Sequence, residues 1–229
     1  MSAPDADPDF YANAVAEHVA THIGPITDIF HEIQSDVIQI DILVVGPQES
    51  RPYTTLATCG MSERPMRIPI EDPDDLARVP ELRFAELLVC LPPDWPLTPE
   101  AFQQEDNYWP VRWLKRLARM PHQQDGWLGV GHTVPNGDPP QPFAANTRFC
   151  CWLIDQPILF PQSAQKLRVS DRSVNIYSIV PLYLEEVVHK IREGSGSLGR
   201  LLDQAKVSEL IALERLSVVP SRPEDGGDR

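Results

Sequence analysis

Between residues 38 and 45 apolar side chains fall on every second position, Ile38, Ile40, Ile42 and Val44, with Gln39 and Asp41 between them. A period of two belongs to a β-strand, whose successive side chains point to opposite faces. The run therefore commits the chain to a sheet, with one face of this strand dry and the other wet. Gly46-Pro47 turns the chain, and β-branched or apolar runs follow at Tyr53 to Cys59, Phe84 to Leu91, Arg148 to Ile154 and Val174 to Val180, with a shorter one before them at Ile29 to Ile33. These are the expected strands.

Helical spacing appears elsewhere. Phe10, Ala14, Val15, Val19 and His22 predict a helix over 10–22, stopped by Gly24-Pro25. Over 106–120, Pro110, Trp113, Leu114 and Leu117 form one face, and Arg112, Lys115, Arg116 and Arg119 form a cationic stripe on another. That stripe either docks an acidic segment, the acidic N-terminal part of this chain included, or faces solvent. A third helix is expected over 181–193, with proline in its first turn, Leu182, Leu184, Val187, Val188 and Ile191 inward and Gly194 after its end. A fourth is expected over 198–213. Between strands lie two proline-rich connectors, 92–99 and 135–143, stiff but too closely followed by strands to be domain linkers. A single domain is expected over 10–215, after a flexible acidic start (1–9) and before a disordered tail (216–229).

With 229 residues, 42% of them apolar, the chain can bury a sizeable core. No apolar run approaches the roughly 20 residues of a membrane span, and the first residues lack a signal-peptide pattern, so a cytoplasmic protein is expected. The net charge of −13 is unevenly placed: the first fifty residues hold nine acids and no lysine or arginine. Such a field repels nucleic acid and steers basic partners inward. The plainer explanation is a solubilising acidic surface.

Chemical motifs are sparse. Cys59, Cys90, Cys150 and Cys151 have no CxxC spacing, so a zinc site is not expected, and adjacent Cys150 and Cys151 in a strand would face opposite ways. The literal GxGxxG at 194–199 follows a helix rather than a strand, which removes it from dinucleotide binding. Neither a phosphate-binding lysine loop nor a GxSxG elbow is present. His18 and His22 lie four apart, compatible with a metal but lacking acidic context. No cofactor and no metal are expected. What stands out are two segments rich in Gly, Met, Trp and Pro, Thr58 to Met66 and Gly126 to Val134. Such segments make tight turns or adaptable protein-binding surfaces.

Several blocks in one order carry a family resemblance: His31-Glu32-Ile33 before the 38–45 strand; Arg51-Pro52-Tyr53 leading to Gly60-Met61-Ser62 and Pro65-Met66; Leu88 to Trp95; Trp109-Pro110 with Leu117-Ala118 and Pro121-His122; Gly126-Trp127-Leu128-Gly129 with Gly131-His132-Thr133; Asn136-Gly137, Pro139-Pro140 and Phe143; and Ile179 to Tyr183 with Glu185-Glu186. Over about residues 25–200 the chain resembles bacterial suppressor-of-fused-like domains. The resemblance implies an α+β fold, a twisted mixed or antiparallel sheet with flanking helices, and a non-enzymatic role in binding proteins. Eukaryotic members regulate a Hedgehog-pathway transcription factor by clamping a peptide as an added strand, and many bacterial members look like immunity proteins against toxins. This chain is expected to lack the eukaryotic second domain. The implied function is an immunity-type inhibitor or regulatory adaptor that occludes a protein partner, such as a basic toxin domain or peptide, without nucleic acid or membrane. Its implied contact residues are Tyr53, Met61, Ser62 and Glu63 in one loop and Trp127 and His132 in the other. The alternative is a hydrolase or other enzyme using His31, Glu32, His122 or His132. A third possibility is a structural subunit docking through the cationic stripe.

Overall fold

The computed structural model describes residues 9–32, 37–70 and 75–220, without the side chains of 75–77. In chain order the elements are α1 (Phe10–His22), β1 (Ile26–Phe30), β2 (Asp41–Val45), β3 (Thr54–Cys59), α2 (Asp75–Leu82), β4 (Phe84–Leu91), α3 (Glu105–Gln124), β5 (Thr133–Pro135), β6 (Cys151–Asp155), β7 (Lys166–Val169), β8 (Arg172–Leu182), α4 (Leu184–Glu193) and α5 (Ser195–Gln204). The strands form one mixed sheet in the order β1-β2-β3-β4-β8-β6-β5, with β7 paired to β8. Every pairing is antiparallel except β4 with β8. This is the α+β arrangement of sheet and flanking helices that the family resemblance implies.

Both faces of the sheet are covered. On one, Ile40, Ile42, Leu56, Leu87 and Val89 pack against Trp109, Trp113, Leu114 and Leu117 of α3. On the other, Leu43, Val45, Ala57, Leu88 and Ile176 pack against Val15 and Val19 of α1, while Leu153, Val180 and Leu182 meet Val187 of α4 and Leu198 and Leu202 of α5. The wet face expected for the 38–45 strand is thus confined to Gln39 and the half-buried Asp41 at its start. Leu43 and Val45 lie under α1. Cys150 and Cys151 do not separate onto opposite faces either: β6 begins only at Cys151, and both thiols are buried in the cluster beneath α4 and α5. All four cysteines are free and buried.

The third helix starts later than expected. Pro181 belongs to β8, opposite Trp152. Trp152 turns its backbone groups toward β5, flanked by the bonds Ile154 N to His132 O and Asn136 N to Cys150 O. In an antiparallel ladder such a residue exchanges no hydrogen bonds with its other neighbour, so the N–H that Pro181 lacks is not needed there. Its carbonyl accepts instead from Arg215 Nη2 at 2.6 Å. Leu184 and Ile191, expected inward on this helix, are 46% and 79% exposed, because α4 turns Glu186 and Val187 to the protein. Gly194 follows the helix with φ of 84°, as expected.

After α5 the chain returns as a strap fastened by buried glutamates. Glu209 accepts from Leu159 N at 3.0 Å, and its backbone and that of Ile211 bond to Cys90 of β4. Glu186, fully buried, takes both Nη1 and Nη2 of Arg215 (2.6 and 2.8 Å), the N–H of Tyr183 and, at 3.0 Å, the N–H of Val218. Residues 1–8 of the expected flexible start, Ile33 of the short early strand and the tail from 221 onward lie outside the described residues. No helix among the described residues is long and apolar enough to cross a membrane.

Candidate functional site

The loop after β3 is organised from below by one carboxylate. Glu86, in β4 and 1% exposed, accepts from Thr58 Oγ1 (2.5 Å), Gly60 N (3.0 Å), Ser62 N (2.9 Å) and Ser62 Oγ (2.7 Å). Burial pushes its carboxyl above the usual range, and these four donors pull it partly back. Gly60 has φ of 125°, and a Cβ there would come within 2.2 Å of Gln39 O, so only glycine fits. Arg172 Nη1 donates to Ser62 O and Glu63 O, and its guanidinium lies 3.3 Å over the Tyr11 ring. His122 Nε2 meets Met61 O at 3.0 Å.

These bonds place the residues of the first segment. Met61 and Ser62 are 0% and 2% exposed, so they give a partner no side-chain surface; Glu63 is the exposed member. Tyr53 is also buried, against Phe160 on the α1 side of the sheet, and burial pushes its phenol up to about 12. Beside it Arg51, buried as well, donates to Gly46 O, Tyr53 O and Thr55 Oγ1.

The second segment is held differently. Asp125, in the left-handed region (φ 52°), closes α3. Arg67 N then bonds to Gly126 O, and Leu128 N meets Met66 Sδ at 3.4 Å, so the two segments expected to make contacts are joined. Trp127 and His132 stack edge to face with centroids 4.4 Å apart, and Gly129 is pressed so close to the Trp127 ring that a Cβ would lie 2.5 Å from it. Burial, with Lys190 adding to it, lowers the pKa of His132. Between them Val130 is 49% exposed.

Trp127, Gly129 and Val130 form one wall of a cleft of about 550 Å³ whose other walls are Arg78 and Leu82 of α2, Gln156, Gln162, Gln165, Lys166 and Asn175. Tyr177 lines it too, 2% exposed, and its hydroxyl has no hydrogen-bond partner among the described residues. Burial alone pushes that phenol up to about 12. The described lining carries two cations and no carboxylate, although the chain is strongly acidic. Side-chain amides beside aromatic rings suit the alternating donors and acceptors of an extended polypeptide.

The residues of the enzymatic alternative are dispersed among structural partners. His31 Nδ1 meets Asp41 Oδ2 at 2.8 Å at an exposed position. Glu32 pairs with Arg119 and accepts from Ile40 N. His122 caps Met61 and His132 abuts Trp127. None of the four lines the cleft. The Glu32–Arg119 pair also answers the cationic stripe: one of its members docks the acidic segment of the same chain, and Arg116 lies 4.4 Å over the Trp113 ring. Among the described residues no group of three or more His, Cys, Asp or Glu side chains can hold a metal, and His18 instead contacts Ala164 O. No sequence motif singles out Val130, Tyr177 or the glutamines. Tyr177 and Gln156 carry no motif, and only strand pairing brings them to Trp127.

The chain is thus a mixed sheet covered by helices on both faces, with an open cleft lined from α2, the Trp127 loop and β8. A family model, "Suppressor of fused protein (SUFU)", matches residues 36–216, and the chain belongs to this family. Solved structures agree in fold. A SUFU homolog from Neisseria gonorrhoeae FA 1090 superposes with a TM-score of 0.63 at 17% identity, over 93% of this chain and 98% of that one. The Sufu-Fu complex gives 0.61 at 15% identity, over 91% and 92%. Drosophila Suppressor of Fused gives 0.58 at 14% identity, over 90% of this chain but only 50% of the longer Drosophila chain. A search of the curated proteins finds no match.

Proposed function

We propose that this chain is a non-enzymatic, cytoplasmic protein-binding module that takes a segment of a partner into the cleft walled by Trp127 and Val130 and so occludes that partner, in the manner of an immunity-type inhibitor. The observation that carries this reading is one open cleft of about 550 Å³ walled by Trp127 and the half-exposed Val130 and lined by Tyr177 and three glutamines. Membership of a family with a member solved in complex with Fu supports it. In this reading Val130, Trp127, His132 and Glu63 touch the partner, while Met61, Ser62 and Tyr53 hold the frame beneath. The net charge of −13 steers a basic partner toward the acidic surface.

The test is affinity purification from the native cells at low salt, run in parallel with Val130→Asp and Trp127→Ala. One stoichiometric partner that is basic, is lost from both variants, and is inhibited by the wild-type chain in a growth or activity assay supports the proposal. A partner retained equally by both variants moves the site elsewhere. A partner bound but left fully active removes the inhibitor role.

A further inference from the structure

We infer that the outer face of α4 is a self-association surface whose occupant is a second copy of this chain, packed antiparallel about a two-fold axis near Val188. Leu184, Val188 and Ile191 are spaced by four and three residues and so make one stripe along the helix. Leu184 is 46% exposed and Ile191 79%. Alongside runs the end of the strap, where Leu216 is 85% exposed, and Val219 and Pro220 close a groove of about 500 Å³ with Leu184, Val188 and Arg148. Single exposed apolar residues are ordinary on a surface; a helical stripe continued by a neighbouring segment marks an interface.

The charges beside the stripe identify the occupant. Glu185 and Arg192 are seven residues apart, two helical turns, and therefore flank the stripe on the same side at opposite ends. In an antiparallel pair of identical helices the same flanks meet. Glu185 then faces Arg192 of the second copy, Arg192 faces its Glu185, and Leu184 packs near Ile191. The pattern is self-complementary, as an isologous interface requires. Within one chain Glu185 has only a 3.7 Å pairing with exposed Arg148, and Arg192 has no ion-pair partner among the described residues. The groove shares no lining residue with the cleft of the binding site, so pairing leaves that cleft open and makes the dimer bivalent.

Sedimentation velocity of the full chain over about 1–200 µM tests this by mass action. A concentration-dependent dimer is expected, weakened about tenfold or more by Ile191→Asp, with circular dichroism and melting temperature unchanged because the side chain faces solvent. Glu185→Arg and Arg192→Glu should each be monomeric alone at concentrations where the wild type pairs. Their equimolar mixture should pair again, since it restores both Glu–Arg contacts. A wild type that stays monomeric throughout overturns the inference, as does a dimer indifferent to Ile191→Asp. A mixture no more associated than its components overturns the antiparallel arrangement.

Discussion

The loop after β3 and the loop after α3 carry similar sequence: glycines, a methionine or tryptophan, and a proline or β-branched residue. In the first, four donors converge on Glu86, and Met61 and Ser62 are sealed in. In the second, backbone bonds to β6 and a lean on Met66 fix the chain, while Val130 stands in solvent and Trp127 walls a cleft. The difference originates a strand away, at the one acidic position in the otherwise apolar run of β4. A buried carboxylate without its donors is costly, so the surrounding polar groups turn inward to meet it. Composition gives a loop its conformational options; the group beneath it decides whether it is sealed into the protein or left open to solvent.

Removing that group should break the contrast most severely. Glu86→Ala leaves two buried N–H groups and two hydroxyls short of an acceptor, and a loss of about 3 kcal/mol or more is expected in urea unfolding. Glu86→Gln keeps one acceptor oxygen and should cost about 1–2 kcal/mol at neutral pH. The pH dependence has a definite sign. Because burial raises this carboxyl in the folded state, the unfolded chain releases the proton first as pH rises. The group's contribution to stability is therefore whole below about pH 4.5 and falls as pH climbs through the raised folded value. Glu86→Gln should remove that decline. If the alanine variant unfolds like the wild type, the loop is held by something other than Glu86.

The sequence carries β4 and α1 almost to the residue, because an unbroken apolar run and a clean helical period need no tertiary context. It misplaces the end of β8, since a proline ahead of a helical pattern resembles a helix start. Only the pairing with Trp152, which asks nothing of Pro181's nitrogen, keeps residue 181 in the sheet. Short β5 and β7, and α2 with Pro80 inside it, leave too little periodicity to be seen. The site is legible by halves. The two loops are visible, and Trp127, paired with His132, walls the cleft, but the burial of Met61, Ser62 and Tyr53 depends on Glu86, Arg172 and Phe160, which are far away in sequence. Tyr177 reads as one more strand residue until the cleft it lines is seen.

Smaller effects sharpen the functional side of the contrast. Val130→Asp changes an exposed side chain, so stability should hold within about 0.5 kcal/mol. Partner affinity should fall by about 2 kcal/mol, roughly thirtyfold. Titration calorimetry beside thermal melts separates the two, and equal affinity would take Val130 out of the interface. Tyr177→Phe is subtler. Its hydroxyl bonds to nothing among the described residues, so removal should leave the melt unchanged or slightly raised, while affinity drops by about 1 kcal/mol as the partner loses a hydrogen bond. A Phe variant that binds as well as the wild type would mean the hydroxyl meets only water.

The smallest effect concerns His132 against Trp127. Burial and nearby Lys190 lower this imidazole's pKa, so the unfolded chain takes up the proton first as pH falls. Whatever stability the neutral ring supplies is present above about pH 6.5 and lost as pH descends through the lowered folded value. Because the ring is partly open to solvent, screening keeps the contribution to a few tenths of a kcal/mol at most. A spectroscopic readout suits it better than unfolding. With the rings 4.4 Å apart, protonation should quench Trp127, so the fluorescence difference between the wild type and Trp127→Phe should titrate below pH 6.5. Lys190→Ala removes a cation and should move that midpoint upward. A midpoint at or above 6.5, or one indifferent to Lys190, would show His132 to be solvated like a free imidazole, and the second loop to be looser than its packing against Trp127 implies.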